Sequence, residues 1–310
     1  MFFVLSGFLI TLLFLLEHET KGSISLRKFY MRRILRLMPG LVFMMLIFLM
    51  VIYLLFHDAA TRLHQLQDAL ITLFYASNWT RAFDLNRPDM LGHTWSLATE
   101  EQFYMLWPLF MLVLLPLNKV TRIILIAVLF LFSWGWRVHL LVDGASWNRL
   151  YNGLDCRADM FLAGCLLAAL WHGGVLDGWR RSPFLPNTLL VAACIGLAVM
   201  SSSVDWQKPP IYLWQYALIA LATTIVILEI VSSPGGLFSR MLKRKWLVWP
   251  GKISYGIYLW HYPVIALLTN LVHDNNLRTF SAALITLLLA VISWYGIERP
   301  FLRLKYRFQW

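Results

Sequence analysis

Leu37-Met38-Pro39-Gly40-Leu41-Val42-Phe43-Met44-Met45-Leu46-Ile47-Phe48-Leu49-Met50-Val51-Ile52-Tyr53-Leu54-Leu55-Phe56 contains no charged side chain. As an α-helix at about 1.5 Å per residue, such a run is about 30 Å long, the thickness of a bilayer's hydrocarbon core. Eight further stretches are mostly apolar, near 1–16, 94–115, 123–142, 159–176, 187–205, 211–231, 253–272 and 280–297. The expectation is an all-α, polytopic membrane helix bundle with about nine spans. The apolar piece from Ala69 to Ser77 is too short to cross and reads as interfacial or re-entrant. Composition agrees. The 310 residues are 59% hydrophobic and only 14% charged, with a mean hydropathy of +0.64. A soluble domain has roughly 45–50% apolar and about 25% charged residues. These figures exclude a soluble globule and a disordered chain, and three cysteines exclude a disulfide framework. The stretch 1–16 lacks the basic start and small-residue cleavage site of a signal peptide.

The net charge of +11 raises the question of nucleic acid, but the basic residues alternate with the spans. Segments 17–36, 116–122, 177–186, 232–252 and 298–310 hold nineteen of the 27 lysines and arginines, and the opposite set holds seven. Short loops rich in Lys and Arg stay in the cytoplasm. The C-terminus is therefore expected inside, residue 1 at the outer face, and no nucleic-acid partner. Membrane lipid is the obligatory environment. The sequence contains no internal repeat, no metal-ligand spacing, no GxxxxGK phosphate loop and no GxSxG elbow.

Ionisable residues inside a membrane are costly and mark function by default. The stretch His93-Thr94-Trp95-Ser96-Leu97-Ala98-Thr99-Glu100-Glu101-Gln102-Phe103-Tyr104 opens a span from its outer end. At helical spacing His93, Glu100 and Tyr104 share a stripe. An imidazole over a carboxylate is a proton-transfer arrangement. The structural alternative has His93 capping the helix and the glutamates paired with Arg137 or Arg157. At the cytoplasmic end, Arg32, Arg33 and Arg36 project from nearby helix faces, and guanidinium forks match phosphate oxygens. They suit a phosphate-bearing donor such as coenzyme A, and equally plain positive-inside anchoring. Ser254, Tyr258 and His261 share a face ahead of Pro263, where a freed carbonyl is expected; a satisfied structural histidine is the alternative for His261. Arg157 and Asp159 enter a span from outside, as an ion pair or as an acceptor-binding pair.

Several of these strings together resemble one family. Phe2-Phe3-Val4-Leu5-Ser6-Gly7-Phe8-Leu9-Ile10-Thr11 is similar to the second-helix signature of the acyltransferase-3 family of integral membrane acyltransferases. The arginines ending at Arg36-Leu37-Met38-Pro39, the His93 to Tyr104 string, the Arg157/Asp159 element, Ser254 to Pro263 and the terminal Glu298-Arg299-Pro300-Phe301 match in order and spacing. The resemblance covers essentially the whole chain. It implies O-acyl transfer, usually of acetyl, from cytoplasmic acyl-CoA (acetyl-CoA) to a hydroxyl of a cell-surface or lipid-linked carbohydrate, in a bacterial inner membrane. The resemblance puts Arg33 and Arg36 at the donor and His93, Glu100, Glu101 and Tyr104 in the central cavity. Beside it, the residues themselves give the expectation that Arg32 joins the donor arginines, that His261 joins the catalytic group, that Arg157 and Asp159 meet the acceptor, and that no metal takes part.

Members of the family begin with a helix bearing an Arg and a His regarded as the catalytic base, ahead of the motif that starts here at Phe2. The resemblance thus implies ten spans for a full core against about nine in this sequence. The expectation is one membrane-embedded domain over 1–310, truncated at its N-terminus and without a separate soluble domain. A start assigned too far downstream is the favoured account. Little or no acyl transfer is expected of the 310-residue product. Two rival functions stand: a transporter or flippase for a lipid-linked glycan, and an inactive fragment lacking the first helix.

Overall fold

The structure, a computed structural model, describes residues 1–178 and 184–304. In chain order its helices are α1 (Phe2–Lys21), α2 (Leu26–Leu55), α3 (Ala59–Leu73), α4 (Ser77–Ala82), α5 (Trp95–Leu114), α6 (Lys119–Val142) and α7 (Trp147–Asn152). Then come α8 (Ala158–His172), α9 (Phe184–Ser203), α10 (Tyr216–Ser232), α11 (Leu237–Leu242), α12 (Lys245–Leu271), α13 (Asn275–Ser293) and α14 (Arg299–Leu304). Single π-helical turns, Ile211–Gln215 and Trp294–Glu298, lead into α10 and α14. Among the described residues there is no β-strand. The loop 177–186, with Arg180 and Arg181, and the tail basic residues Lys305 and Arg307 lie partly or wholly outside the described residues.

Five helices are long and apolar enough to cross a bilayer: Phe2–Lys21, Leu26–Leu55, Lys119–Val142, Ile211–Ser232 and Asn275–Leu304. The other expected spans are also helical, as α5, α8, α9 and α12. Of these, α8 has only 15 residues, fewer than the roughly 20 a bilayer needs. The apolar piece expected near 69–77 does not form one element. It is the end of α3, a left-handed Tyr75 at φ 54° and the start of α4. Asp58 caps α3, accepting from the Thr61 amide at 2.8 Å. Gln65, Asp68, Ala69 and Thr72 form its buried face, so its polar sequence concealed a helical stripe.

The chain divides into two units, the first comprising Met1–Ile24 and Thr99–Leu242, the second Ser25–Ala98 and Lys243–Trp310. In the first unit, α1 packs against α8, and α8 against α6 and α10. The α1–α8 contact is close because two glycines permit it. A Cβ on Gly7 would lie 2.0 Å from the Phe161 carbonyl oxygen, and one on Gly164 would lie 1.9 Å from that of Val4. Small residues at such crossings let membrane helices approach backbone to backbone. In the second unit, α2 packs against α3 and α12, and α12 against α13. Its core joins Leu41, Met44 and Phe48 of α2 to Leu259 and Trp260 of α12 and to Leu97. Gly40 makes room for side chains instead of backbone: a Cβ there would meet those of Tyr255 at 3.1 Å and Glu298 at 3.3 Å.

Candidate functional site

Ser25 starts α2, its hydroxyl accepting from the Lys28 amide at 3.4 Å. The next turns carry the three arginines singled out for the donor. They do not share one environment: Arg32 is buried, Arg33 half-buried and Arg36 exposed. Pro39 follows within the helix and has no N–H to give the Leu35 carbonyl. Two residues before Pro39, the Leu37 carbonyl accepts from the Tyr255 hydroxyl at 2.8 Å.

His93 is not on α5. It sits in a 3-10 turn, Gly92–Thr94, that precedes the helix, so the stripe projected from Glu100 back to His93 does not extend that far. The imidazole is instead ringed by Tyr258, His261 and Tyr262, at centroid distances of 5.1, 5.1 and 5.2 Å. The Tyr258 hydroxyl donates to the His93 carbonyl at 2.8 Å and lies 3.0 Å from the Ser96 hydroxyl. His93 is 9% exposed, and neither of its ring nitrogens makes a hydrogen bond of ordinary geometry among the described residues. His261 is half-buried. Its Nδ1 lies 2.7 Å from the Tyr258 carbonyl and 3.2 Å from that of Ile257. Gly92 admits two further groups, the Arg81 guanidinium and the Tyr262 hydroxyl, which a Cβ would meet at 3.0 and 3.3 Å.

In the first unit, Glu100 and Tyr104 are one helical turn apart on α5 and bond to each other, as their spacing predicts. The Ser6 hydroxyl of α1 donates to Glu100 Oε1 at 2.7 Å and accepts from Tyr104 at 2.9 Å. All three side chains are buried, as is Glu101. One turn further along, the Trp107 indole donates to the Thr11 hydroxyl at 2.8 Å. Ser6 and Thr11 were not singled out from sequence. The available signal was their polarity within an apolar span, since buried hydroxyls there tend to bond between helices.

Asp159 is in the first turn of α8, where the helix dipole favours a negative charge. Its ion-pair partner is Arg137 of α6, at 2.6 Å, and not its sequence neighbour Arg157. Arg137 also donates to the carbonyls of Tyr212 at 2.9 Å and Cys156 at 2.8 Å. Arg157 donates to the Tyr151 carbonyl at 3.0 Å and stacks on the rings of Tyr216 and Tyr151, at 4.0 and 4.7 Å. Among the described residues, no group of three or more His, Cys, Asp or Glu is placed to hold a metal.

The profile of the acyltransferase domain family matches residues 1–299. The chain belongs to the acyltransferase-3 family. It is 35% identical over 318 residues to the peptidoglycan O-acetyltransferase OatA of Listeria monocytogenes, covering 96% of this chain and 50% of that protein. It is 33% identical over 312 residues to the O-acetyltransferase OatA of Staphylococcus aureus, covering 96% of this chain and 51% of that protein. The chain thus spans about half the length of these relatives. No solved structure matches it. In the second unit of this acyltransferase-3 chain His93 and His261 lie together, and in the first unit Glu100 and Tyr104 meet Ser6 while Asp159 meets Arg137.

Proposed function

We propose that the chain is the membrane part of an O-acetyltransferase that moves an acetyl group from cytoplasmic acetyl-CoA to a hydroxyl of a cell-wall carbohydrate, peptidoglycan first among them. The observation that carries this reading is the match to named O-acetyltransferases along 96% of the chain. The buried polar groups fit it, since membrane helices do not retain such groups without use. In this reading Arg32, Arg33 and Arg36 hold the phosphates of the donor. His93, Glu100, Glu101, Tyr104 and His261 belong to the chemistry. Arg157 meets the carbohydrate, and Asp159 acts there through Arg137. The chain crosses a bacterial inner membrane about nine times and ends in the cytoplasm, as the basic loops suggest.

Inside-out membrane vesicles containing the chain, supplied with acetyl-labelled coenzyme A, test this. Against the sequence expectation of little or no transfer by these 310 residues, the reading requires label in the lumenal glycan, and none when the three arginines are replaced by glutamine. Movement of intact glycan without label would replace this reading with a flippase.

A further inference from the structure

The segment 57–93 contains three arginines and four aspartates, and the protein meets all of them but one. Arg62 donates to the Phe56 and Tyr53 carbonyls at 2.6 and 2.8 Å and stacks on the Tyr53 ring. Arg87 pairs with Asp84. Asp58 caps α3. Asp68 accepts from the Asp89 amide at 3.0 Å, and His64 faces both carboxylates. Arg81 is the exception. Among the described residues it has no carboxylate partner, and its one acceptor is the Pro88 carbonyl at a long 3.4 Å. The side chain is half-buried, and its Nε is closed off from solvent without a hydrogen bond. A guanidinium has five N–H donors and keeps its charge. Left this bare, it is costly unless an acceptor arrives from outside the chain.

The place of Arg81 is built. It is in the last turn of α4, a six-residue helix held between left-handed Tyr75 and Asp84, at φ 54° and 53°. Thr94 ties that helix to the 3-10 turn Gly92–Thr94, its hydroxyl 3.2 Å from those of Ser77 and Thr72. The turn has a glycine where the guanidinium passes. A Cβ on Gly92 would lie 3.0 Å from Arg81 Nη1 and 3.3 Å from the Tyr262 hydroxyl, so two donors converge on one bare backbone position. The Tyr262 ring is 38% exposed and stacks on His93 at 5.2 Å. Every group named here from 57–93 and from α12 belongs to the second unit.

We propose that Arg81, with the Tyr262 hydroxyl beside it, receives an oxyanion of the carbohydrate acceptor: a carboxylate on the glycan or its peptide, or a phosphate of its lipid carrier. This rests on the O-acetyl transfer reading, in which 57–93 is an outer loop and the acceptor comes from that side. A guanidinium fork matches two oxygens of either group, whereas the hydroxyl that is acetylated is neutral. Arg81 therefore selects acidic acceptors over neutral ones, by a group other than the one that reacts.

Binding to the full chain in nanodiscs tests this with three probes. They are a muropeptide (the disaccharide-peptide fragment of peptidoglycan) with free carboxylates, the same muropeptide with its carboxylates amidated, and the amidated muropeptide on a prenyl pyrophosphate. The parent is expected to bind an anionic probe about tenfold or more tighter than the amidated muropeptide. Arg81→Gln is expected to lose that preference while binding the amidated muropeptide as the parent does, a pattern that a merely structural role would not give. Loss on the first probe identifies a carboxylate, and loss on the third alone a phosphate. Arg81→Lys keeps the charge without the fork and is expected to recover only part of the preference. A parent without the preference, or an Arg81→Gln variant that retains it, overturns the proposal. If the preference stands but the parent transfers acetyl to no glycan, the reading of the previous section fails and the site stands. If the parent transfers acetyl and Arg81→Gln leaves KM for the acidic acceptor unchanged, the site fails and that reading stands.

Discussion

Arg137 and Asp159 face each other at 2.6 Å with both side chains closed off from solvent. Removing one member of a buried pair strands the other charge, at a cost of about 3–5 kcal/mol. Asp159→Ala should therefore lower the unfolding temperature in detergent sharply. Arg137→Met should be worse, because the carbonyls of Tyr212 and Cys156 lose their donor as well. The double variant Arg137→Met/Asp159→Leu should recover part of the Arg137→Met loss. A double variant less stable than both single ones would show that the pair is not the coupled unit described.

The crossing of α1 and α8 makes a sharper steric prediction. Added methyls at Gly7 and Gly164 would run into backbone carbonyls, which no rotamer change relieves. Gly7→Ala and Gly164→Ala should each destabilise by about 1–3 kcal/mol. Gly135, within α6, has nothing within 4 Å of its Cβ position. Gly135→Ala should stabilise by about 0.5–1 kcal/mol. Equal effects at the three positions in thermal unfolding would contradict the close approach.

The Ser6–Glu100–Tyr104 group separates packing from chemistry. Interhelical hydrogen bonds in membranes contribute about 0.6 kcal/mol, rarely above about 1.7. Ser6→Ala should thus cost little stability. Glu100→Gln keeps the shape and replaces the carboxylate with an amide. On the proposed function it should lose at least about 10²-fold in acetyl transfer while unfolding close to the parent. A Glu100→Gln variant that transfers acetyl normally would reduce this group to helix adhesive.

Much of this was legible in the sequence, for identifiable reasons. The apolar run 37–56 is helical as far as Leu55 because lipid allows few alternatives. Glu100 and Tyr104 met as their spacing implied, since both lie on one regular helix. His93 escaped the same rule because the 3-10 turn at Gly92–Thr94 breaks the register. The partner of Asp159 was hidden because Arg137 is distant in sequence, although an arginine inside a span was the available clue. The helix α3 was hidden because its buried stripe is made of Gln65, Asp68, Ala69 and Thr72. Hydrophobic periodicity does not reveal a stripe made largely of polar residues.

Outside the spans, Asp155 gives a pH prediction. Burial alone would raise its carboxyl, but hydrogen bonds from the Arg149 guanidinium and the Trp136 indole outweigh this and hold it below the usual carboxylate value. The indole contact is 2.8 Å, and Arg149 grips both carboxylate oxygens. The native value lies below that of the unfolded chain, about 3.9. The interaction therefore contributes fully above that pH and disappears as pH falls through the native value. Asp155→Asn should unfold at a lower temperature than the parent at neutral pH, and the gap should narrow steadily below about pH 4. Thermal unfolding of the two proteins across pH 3 to 7 isolates this side chain, because the other carboxylates titrate in both. A gap that widens in acid would mean that Asp155 is held protonated, the reverse of what its donors imply.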